Sequence, residues 1–327
     1  MKRMSDMGRF GFLALVVFAI VTPARGQASL RTALDFDGDG TADYQVWSGN
    51  GDSAWTIRTK NNLFFAHPFG QCCDNFEFAA PGDFDGDGKG DIARWSANDG
   101  AWSWIDSSTG ALRTQVFGDP NADTPVARDY DGDGKTDLAL YREDFDTTGE
   151  PLTWIILRSS DGVQTSTDWG VDTDRVAPGD YDGDGLFDLA YSRVESGDTV
   201  FHVLNSGGGT QDLTLTGTDI NDLNNPGDYD GDGKTDAALT RVLPGGGLTW
   251  IIRRSSDGVE VNFDLGVATT DFTVQNDYNG DGRTDLATFR FTESRFYILD
   301  TSNSSTNIVP WGPGGPANFP IAAYDTH

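Results

Sequence analysis

One nine-residue pattern, Asp-x-Asp-Gly-Asp-Gly-x-x-Asp, recurs six times along the chain with a single Asp-to-Asn exception. The copies begin at residues 35, 83, 129, 180, 228 and 277, so they start 46 to 51 residues apart. Positions 1, 3, 5 and 9 offer side-chain oxygens, and glycine at positions 4 and 6 permits the sharp turn that brings them together. Several hard oxygen ligands in a flexible loop favour Ca²⁺, because Mg²⁺ requires stricter octahedral geometry. No copy contains His or Cys, which disfavours zinc and copper.

The sequence therefore predicts about six calcium sites, each held by the four oxygen-bearing side chains of one copy. Asn279 carries no charge, and we expect the copy that contains it to bind calcium most weakly. The predicted ligands are Asp35, Asp37, Asp39 and Asp43; Asp83, Asp85, Asp87 and Asp91; Asp129, Asp131, Asp133 and Asp137; Asp180, Asp182, Asp184 and Asp188; Asp228, Asp230, Asp232 and Asp236; and Asp277, Asn279, Asp281 and Asp285.

The first six positions also match the loop of an EF-hand, which additionally requires a bidentate Glu at position 12 and flanking helices. Here the residues after the loop alternate as in a strand, so we predict calcium-bearing β-hairpins and exclude the EF-hand. Ordinary Asp-Gly turns are the other alternative, but they do not explain six copies that keep the same spacing of oxygen-bearing side chains. Position 12 is occupied by Val46, Arg94, Leu140, Tyr191, Leu239 and Thr288.

Each acidic segment is followed by short apolar runs separated by Gly-rich turns. In the third unit these are Asp137–Arg142, the aromatic-led Trp154–Arg158, the turn Ser159–Gly162, and a run that ends in Trp169-Gly170. Such runs of about five β-branched and aromatic residues are typical of strands, and we count four in each unit. Four antiparallel strands repeated in tandem every 40 to 50 residues predict an all-β fold, a β-propeller built of four-stranded blades.

An aromatic residue recurs at the same place in every unit. We expect these side chains to fill the space between blades, with ligand stacking as the alternative role. They are Trp55, Trp102, Trp154, Phe201, Trp250 and Phe296.

Six complete units favour six blades, and a ring of seven with one incomplete blade is the alternative. The chain ends in residues 319–325, which resemble the run that leads into an acidic loop. We expect this terminal strand to join the first blade and close the ring. Residues 30–34 compete for the same position, so one of the two segments must lie elsewhere.

The segment Asp129 to Arg142, with the preceding Phe117-Gly118, resembles the FG-GAP repeats, also called VCBS repeats. The resemblance covers nearly all of the chain after residue 26 and extends to integrin α-subunit propellers and a fungal lectin. It implies a calcium-binding β-propeller that acts in extracellular recognition or adhesion, with calcium loops on one face and ligands on the other. It does not fix a ligand, and this chain departs from the pattern at Asn279 and at Leu186-Phe187.

The first 26 residues have the pattern of a secretory signal peptide. A basic start precedes an apolar run at residues 10–21, which is too short to span a bilayer comfortably. Ala24 and Gly26 then supply the small residues of a cleavage site. We predict a secreted protein without membrane insertion after cleavage, in which residues 27–327 form a single propeller domain; an uncleaved anchor is the alternative.

The strong negative charge of the chain narrows the classes of molecule that it can bind. The net charge of −28 argues against nucleic acid and against anionic membrane surfaces, because like charges repel.

The only cysteines, Cys72 and Cys73, are adjacent and cannot connect distant parts of the fold. A vicinal disulfide, free thiols and pairing with another chain all stay open for them.

If calcium occupies one face, segments of irregular length on the other face are expected to carry recognition. We predict a monomeric binding module for a glycan or an extracellular protein. A calcium-dependent, lyase-like enzyme acting on polysaccharides and a structural subunit of an exported assembly are the alternatives. The three histidines, His67, His202 and His327, occupy unrelated repeat positions, and the sequence identifies no catalytic residue. The candidate recognition segments are Gly49–Ser53, Gln71–Glu77, Asp119–Thr124, Glu143–Leu152 and Val242–Leu248.

Overall fold

The computed structural model describes residues 32–48, 54–69, 77–143, 149–311 and 318–321. The predicted signal peptide, the two cysteines, His327 and the segments 49–53 and 71–76 lie outside these ranges. Within them the backbone is almost entirely strand and turn, with one short 3₁₀ turn at Thr32–Leu34. Over the same ranges no helix has the length and apolar character needed to cross a membrane.

In the part of the chain that the structure describes, twenty-four strands form six antiparallel sheets of four strands each. The first twelve are β1 Tyr44–Ser48, β2 Ala54–Arg58, β3 Phe64–Pro68, β4 Glu77–Ala79, β5 Ile92–Ser96, β6 Ala101–Ile105, β7 Leu112–Val116, β8 Asp123–Pro125, β9 Leu138–Arg142, β10 Pro151–Leu157, β11 Gln164–Val171 and β12 Arg175–Val176. The second twelve are β13 Leu189–Glu195, β14 Asp198–Leu204, β15 Thr210–Leu215, β16 Leu223–Asn224, β17 Ala237–Val242, β18 Gly247–Arg253, β19 Glu260–Val267, β20 Asp271–Thr273, β21 Leu286–Arg290, β22 Arg295–Leu299, β23 Thr306–Pro310 and β24 Asn318–Pro320.

The sheets follow one another as the blades of a six-bladed β-propeller, which confirms the predicted fold and the favoured blade count. Blade 1 contains β24 and β1–β3, and blades 2 to 6 take four consecutive strands each, from β4–β7 to β20–β23. The position-12 residues that exclude an EF-hand all lie in the second strand of their blade.

The C-terminal strand closes the ring, as predicted. It pairs antiparallel with β1, with Val46 opposite Pro320 and Trp47 opposite Phe319. The competing N-terminal segment is not a strand where it is described, because residues 32–34 form the 3₁₀ turn. The Leu34 carbonyl instead accepts a hydrogen bond from the Asp43 amide at 2.8 Å, which fixes the entry into the first acidic loop.

The recurrent aromatic residues lie in the core, as predicted, and all six are 0 to 1% exposed. In blades 2, 3 and 5 an apolar residue followed by glycine lies at or just after the fourth strand, and its carbonyl accepts a hydrogen bond from the tryptophan of this set. The indole of Trp154 donates to the carbonyl of Trp169 at 3.0 Å, and that of Trp250 donates to Leu265 at 3.0 Å. The glycine that follows has a positive φ, 98° at Gly170, which a residue with a side chain rarely adopts.

Each blade presents two different ends. The acidic segment joins the first strand to the second in blades 2 to 6 and directly precedes the second strand in blade 1, and the turn between the third and fourth strands lies at the same end. We call this end, which carries all six acidic segments, the acidic face. The turns between second and third strands and the connections between blades lie at the other end, the opposite face. The described parts of the predicted recognition segments, including Asp119–Thr124 and Val242–Leu248, lie on the opposite face, as expected.

Candidate functional site

The six acidic segments are numbered here as loops 1 to 6, in the order of the blades, and all fold around the carboxylate at their first position. In loop 3 the Asp129 Oδ1 atom accepts a hydrogen bond from the Gly132 amide at 2.6 Å, and Oδ2 accepts one from Gly134 at 3.0 Å. The carboxylate at position 9, Asp137, accepts a hydrogen bond from the Tyr130 amide at 2.9 Å. Both glycines have a positive φ, 77° and 87°. Backbone amides thus hold positions 1 and 9 on one side of the turn.

This folding brings carboxylates together in five of the six loops. Oxygen atoms of three aspartates lie within 4.8 Å of one another, at positions 1, 3 and 5 of loop 1 and at positions 1, 3 and 9 of loops 2 to 5. Three negative charges at this separation destabilise one another unless a proton or a cation compensates them. The clusters are Asp35, Asp37 and Asp39; Asp83, Asp85 and Asp91; Asp129, Asp131 and Asp137; Asp180, Asp182 and Asp188; and Asp228, Asp230 and Asp236.

The remaining predicted ligands lie in the same loops, outside these triads. The position-5 aspartates of loops 2 to 5 accept the position-7 amide, for example Lys135 to Asp133 at 2.8 Å. In loop 6 the amide nitrogen of Asn279 donates to Asp285 Oδ1 at 3.2 Å, so an uncharged donor occupies a carboxylate oxygen that is a predicted ligand. The sixth loop therefore differs from the others in both charge and hydrogen bonding.

Serine residues of the neighbouring turn complete the site, and sequence reasoning missed them. The Ser159 amide donates to Asp137 at 2.7 Å and its hydroxyl to Asp133 at 2.9 Å, while the Ser160 hydroxyl donates to Asp131 at 2.6 Å. The Ser-Ser pairs at 107–108 and 255–256 repeat these contacts. The sequence signal for this role was the Ser-Ser pair that recurs in the turn between the third and fourth strands of blades 2, 3 and 5.

Loop 1 tests whether the residues fit a metal ion. Its turn carries Lys60 in place of the first serine, and the Lys60 ammonium group donates to the Asn279 carbonyl of the adjacent blade at 2.9 Å. The Asp43 carboxylate is 1% exposed, and its Oδ1 atom has no hydrogen-bond partner among the described residues. A buried carboxylate oxygen without a donor is costly. A cation beside the clustered aspartates would satisfy it, so the donor set fits a hard metal ion.

Burial changes the acidity of these carboxyl groups. It raises the pKa of the position-9 aspartates to about 6 in Asp91 and Asp137, and to about 7 in Asp43, Asp188 and Asp236. Neighbouring loop carboxylates add to the rise, and hydrogen bonds from backbone amides oppose it. Without a cation, burial therefore shifts these groups toward their protonated form.

Backbone hydrogen bonds connect the six loops into a closed circle. In each loop the position-8 amide donates to the position-1 carbonyl of the preceding blade, at 2.6 to 3.2 Å. The last bond, from Ala42 to Asp277, joins the first blade to the sixth and completes the ring. The other five run from Gly90 to Asp35, Thr136 to Asp83, Phe187 to Asp129, Thr235 to Asp180 and Thr284 to Asp228.

The side chain at position 8 also packs against the residue that precedes the neighbouring loop. Where that residue is glycine, position 8 is threonine, and a Cβ built on Gly227 would lie 2.8 Å from the Thr284 Oγ1 atom. Where it is Arg128, position 8 is Phe187, and the guanidinium carbon lies 5.7 Å from the ring centroid. The unusual Phe in loop 4 is therefore explained by its neighbour in blade 3.

Gly227→Ala should destabilise the protein by about 1 to 3 kcal/mol, because the added methyl group overpacks the contact with Thr284. Adding Thr284→Ala should recover most of the loss, since the nearest atoms belong to that side chain. Urea unfolding of the two single variants and the double variant measures this coupling. Gly247→Ala, where nothing lies within 4 Å, is the matched control and should be nearly neutral. Independent, additive effects would contradict the packing account.

On the opposite face, a second acidic residue recurs, and it is paired with arginine. Four buried aspartates each form an ion pair with an arginine 19 residues later, at 2.5 to 2.7 Å. In blade 2 Glu77 and Arg94 take these roles. The sequence signal was an arginine five residues after the loop. The pairs are Asp123–Arg142, Asp174–Arg193, Asp222–Arg241 and Asp271–Arg290.

Two cavities open among the described residues of the opposite face. The first, which we call the central cavity, has a volume of about 250 Å³ and lies where the first, inner strands of blades 2 to 5 meet. Both apolar and polar side chains line it. The other, of about 230 Å³, lies between blades 4 and 5, and Arg175 lines both. Concave sites with apolar walls and a few polar groups suit small ligands.

No protein-family model and no curated protein matches the sequence. Solved structures share the fold. An Agrocybe aegerita lectin, described for its specific recognition of non-reducing terminal N-acetylglucosamine, gives a TM-score of 0.56 at 13% identity over 85% of this chain and 94% of that chain. A triple-arginine mutant of AofleA from Arthrobotrys oligospora gives 0.50 at 10% identity over 84% of this chain and 80% of that chain. At these identities the similarity establishes the propeller fold.

Proposed function

We propose that this protein is a secreted recognition module, a calcium-stabilised β-propeller of the FG-GAP type whose opposite face binds a glycan or an extracellular protein. The observation that carries the proposal is the structural difference between the two faces. Six similar acidic loops form a closed circle on one, while the other carries irregular segments and two cavities.

Calcium has a structural role in this proposal. The aspartates at positions 1, 3, 5 and 9, with Asn279 in the sixth loop, would hold the ions, and each ion would supply positive charge to clustered carboxylates. The buried, unpartnered Asp43 oxygen and the 4.8 Å carboxylate clusters support a cation at these loops. Hard oxygen donors in a glycine-rich loop favour calcium among the common divalent ions.

A glycan is the favoured ligand of the opposite face. The Agrocybe aegerita protein that shares the fold recognises a terminal sugar, which supports a sugar ligand for this chain by analogy of fold alone. The central cavity offers Phe78 and Leu223 as apolar surface and Thr124 and Tyr141 as polar partners. Sugars present both kinds of surface, so such a cavity suits them.

A glycan array probed with the purified protein, with calcium and with a chelator, tests the proposed function. We expect binding of a defined set of glycans in calcium, weaker binding in chelator, and no change in the glycans themselves. Release of cleaved product would instead favour the enzyme alternative. Absence of binding to any glycan and to any extracellular protein on a matched protein array would overturn the recognition proposal.

Asn279→Asp should strengthen calcium binding at loop 6, because it restores the missing charge and removes the amide that contacts Asp285. We expect the weakest step of the calcium-binding isotherm to tighten by about tenfold, as for one added charge-assisted contact. Isothermal titration calorimetry measures the change. Asp230→Asn, the reverse change at the same position of loop 5, should weaken one step, and an unchanged isotherm for both variants would contradict the ligand assignment.

A further inference from the structure

One position on the opposite face distinguishes blade 3 from the other blades. In every blade an arginine or a serine lies five residues after the acidic loop, in the second strand. The residue that follows it is Glu143 in blade 3. The repeat does not require a charge there, since the other five blades have small or apolar residues. Those residues are Gly49, Ala97, Val194, Val242 and Phe291.

Glu143 lines the central cavity and is half-buried. Among the described residues its carboxylate has no hydrogen-bond partner and no cationic partner, unlike the five acidic residues of this face that pair with arginine. Burial raises its pKa, and the charge of Asp172 raises it further. Asp172 itself accepts a hydrogen bond from the Gly149 amide at 2.7 Å. At this end of the cavity the Glu143 carboxylate therefore has no ion-pair partner among the described residues, and a second carboxylate, Asp172, lies near it.

The remaining walls are suited to the body of a small ligand. Phe78, Val176 and Leu223 are apolar, and Tyr141 adds an aromatic ring. Arg175, the one basic residue in the lining, is engaged with the neighbouring blade, where it donates to the Asp222 carbonyl. A cationic ligand group thus meets an uncompensated carboxylate at one side and apolar surface at the other.

We propose that the central cavity binds a primary ammonium group at Glu143, carried by an amino sugar or by a lysine side chain. This inference rests on the proposed function, because it names the chemistry that the opposite face selects. An ammonium group would donate hydrogen bonds to the Glu143 carboxylate, and its charge would offset the field that Asp172 adds. Neutral ligands of the same size gain neither interaction.

The test titrates the full, calcium-loaded protein at pH 7 with glucosamine, N-acetylglucosamine and Nα-acetyl-lysine amide, and follows binding by NMR and calorimetry. The nitrogen is a charged ammonium group in glucosamine and a neutral, acetylated amide in N-acetylglucosamine, and the lysine derivative provides the ammonium group without a sugar ring. We expect an ammonium-bearing ligand to bind about tenfold or more tightly than N-acetylglucosamine, the usual scale of a hydrogen bond to a charged group. Glucosamine and the lysine derivative distinguish the two sources.

Glu143→Gln should reduce that preference to about twofold or less without changing the melting temperature, since the side chain has no hydrogen-bond partner among the described residues. Glu150→Gln, which removes an exposed charge from the same segment, is the matched control and should keep the preference. No preference for either ammonium ligand, or a preference that survives in Glu143→Gln, would overturn the inference. Glycan-array binding combined with no preference for either ammonium ligand would overturn this inference alone, whereas ammonium binding with blank glycan and protein arrays would overturn the proposed recognition function alone.

Discussion

Chelation of calcium is expected to lower the free energy of unfolding by about 2 to 8 kcal/mol. Extracellular calcium modules have dissociation constants of about 10⁻⁴ to 10⁻³ M. At about 1 mM calcium, each site then contributes about 0.4 to 1.4 kcal/mol by mass action, and six sites sum to the range given. This is a large share of the net stability of a typical domain.

Thermal and urea unfolding in 1 mM calcium and in excess chelator measures this effect. Magnesium at the same concentration is the control, and it should restore little of the stability because it keeps its waters and its octahedral geometry. Equal melting temperatures in calcium and in chelator, together with no calcium uptake by the purified protein, would contradict the structural role of the ions.

The pH dependence of the metal-free protein follows from the raised pKa values of the position-9 aspartates. Their pKa is about 6 to 7 in the fold and near 3.8 when unfolded, so the folded state binds more protons between these values. In chelator, stability should therefore fall as pH rises from about 4 to about 7. The stabilisation by calcium should be greatest above pH 7, where the carboxylates are ionised, and a melting series across pH in both buffers checks this.

The acidic loops, the four strands per unit and the closure by the C-terminal strand were all predictable from the sequence. These features depend on local chemistry and on its repetition. The terminal strand could be placed in the first blade because residues 319–325 resemble the run that leads into an acidic loop, whereas its register, with Phe319 opposite Trp47, comes from the structure. A sequence repeat of this kind allows the architecture to be predicted, because similar units fold alike and bury their faces against their neighbours.

The contacts between units were not predictable in the same way. The bond from Ala42 to the Asp277 carbonyl joins residues at opposite ends of the chain, and only ring closure brings them together. The match of Phe187 to Arg128 likewise depends on the geometry between adjacent blades. Serines that donate to the loops lie in a separate turn, so the metal-binding pattern does not include them.

The circle of loop-to-loop bonds has a consequence for calcium binding. In the proposed calcium-bound state, an ion at one loop would fix the position-1 aspartate, whose carbonyl accepts the position-8 amide of the next loop. That amide directly precedes the position-9 ligand, as Thr136 precedes Asp137. Ordering of one loop is thereby passed to the next, and the same bonds hold adjacent blades together. Calcium bound as proposed would therefore stabilise the contacts between blades as well as the individual loops.

On the opposite face, Arg241→Met should destabilise the protein by about 3 kcal/mol or more. Arg241 holds the Asp222 carboxylate at 2.5 Å, and the side chain of Asp222 is only 3% exposed. Without the arginine a buried carboxylate keeps one partner, the Asp219 amide at 2.9 Å, and loses its compensating charge. Urea unfolding in calcium measures the loss, so that the loops stay loaded in every variant.

Arg254→Met is the matched control in the same blade, because its partner Asp257 is exposed and such pairs contribute little. Adding Asp222→Asn to Arg241→Met should recover most of the stability, since the unpaired charge is then removed while the shape of the side chain is kept. Equal effects of the two arginine substitutions, or no recovery in the double variant, would show that packing of the arginine stem and not the buried charge is responsible. The recovery thus separates the electrostatic role of this repeated pair from its role in covering the inner strands.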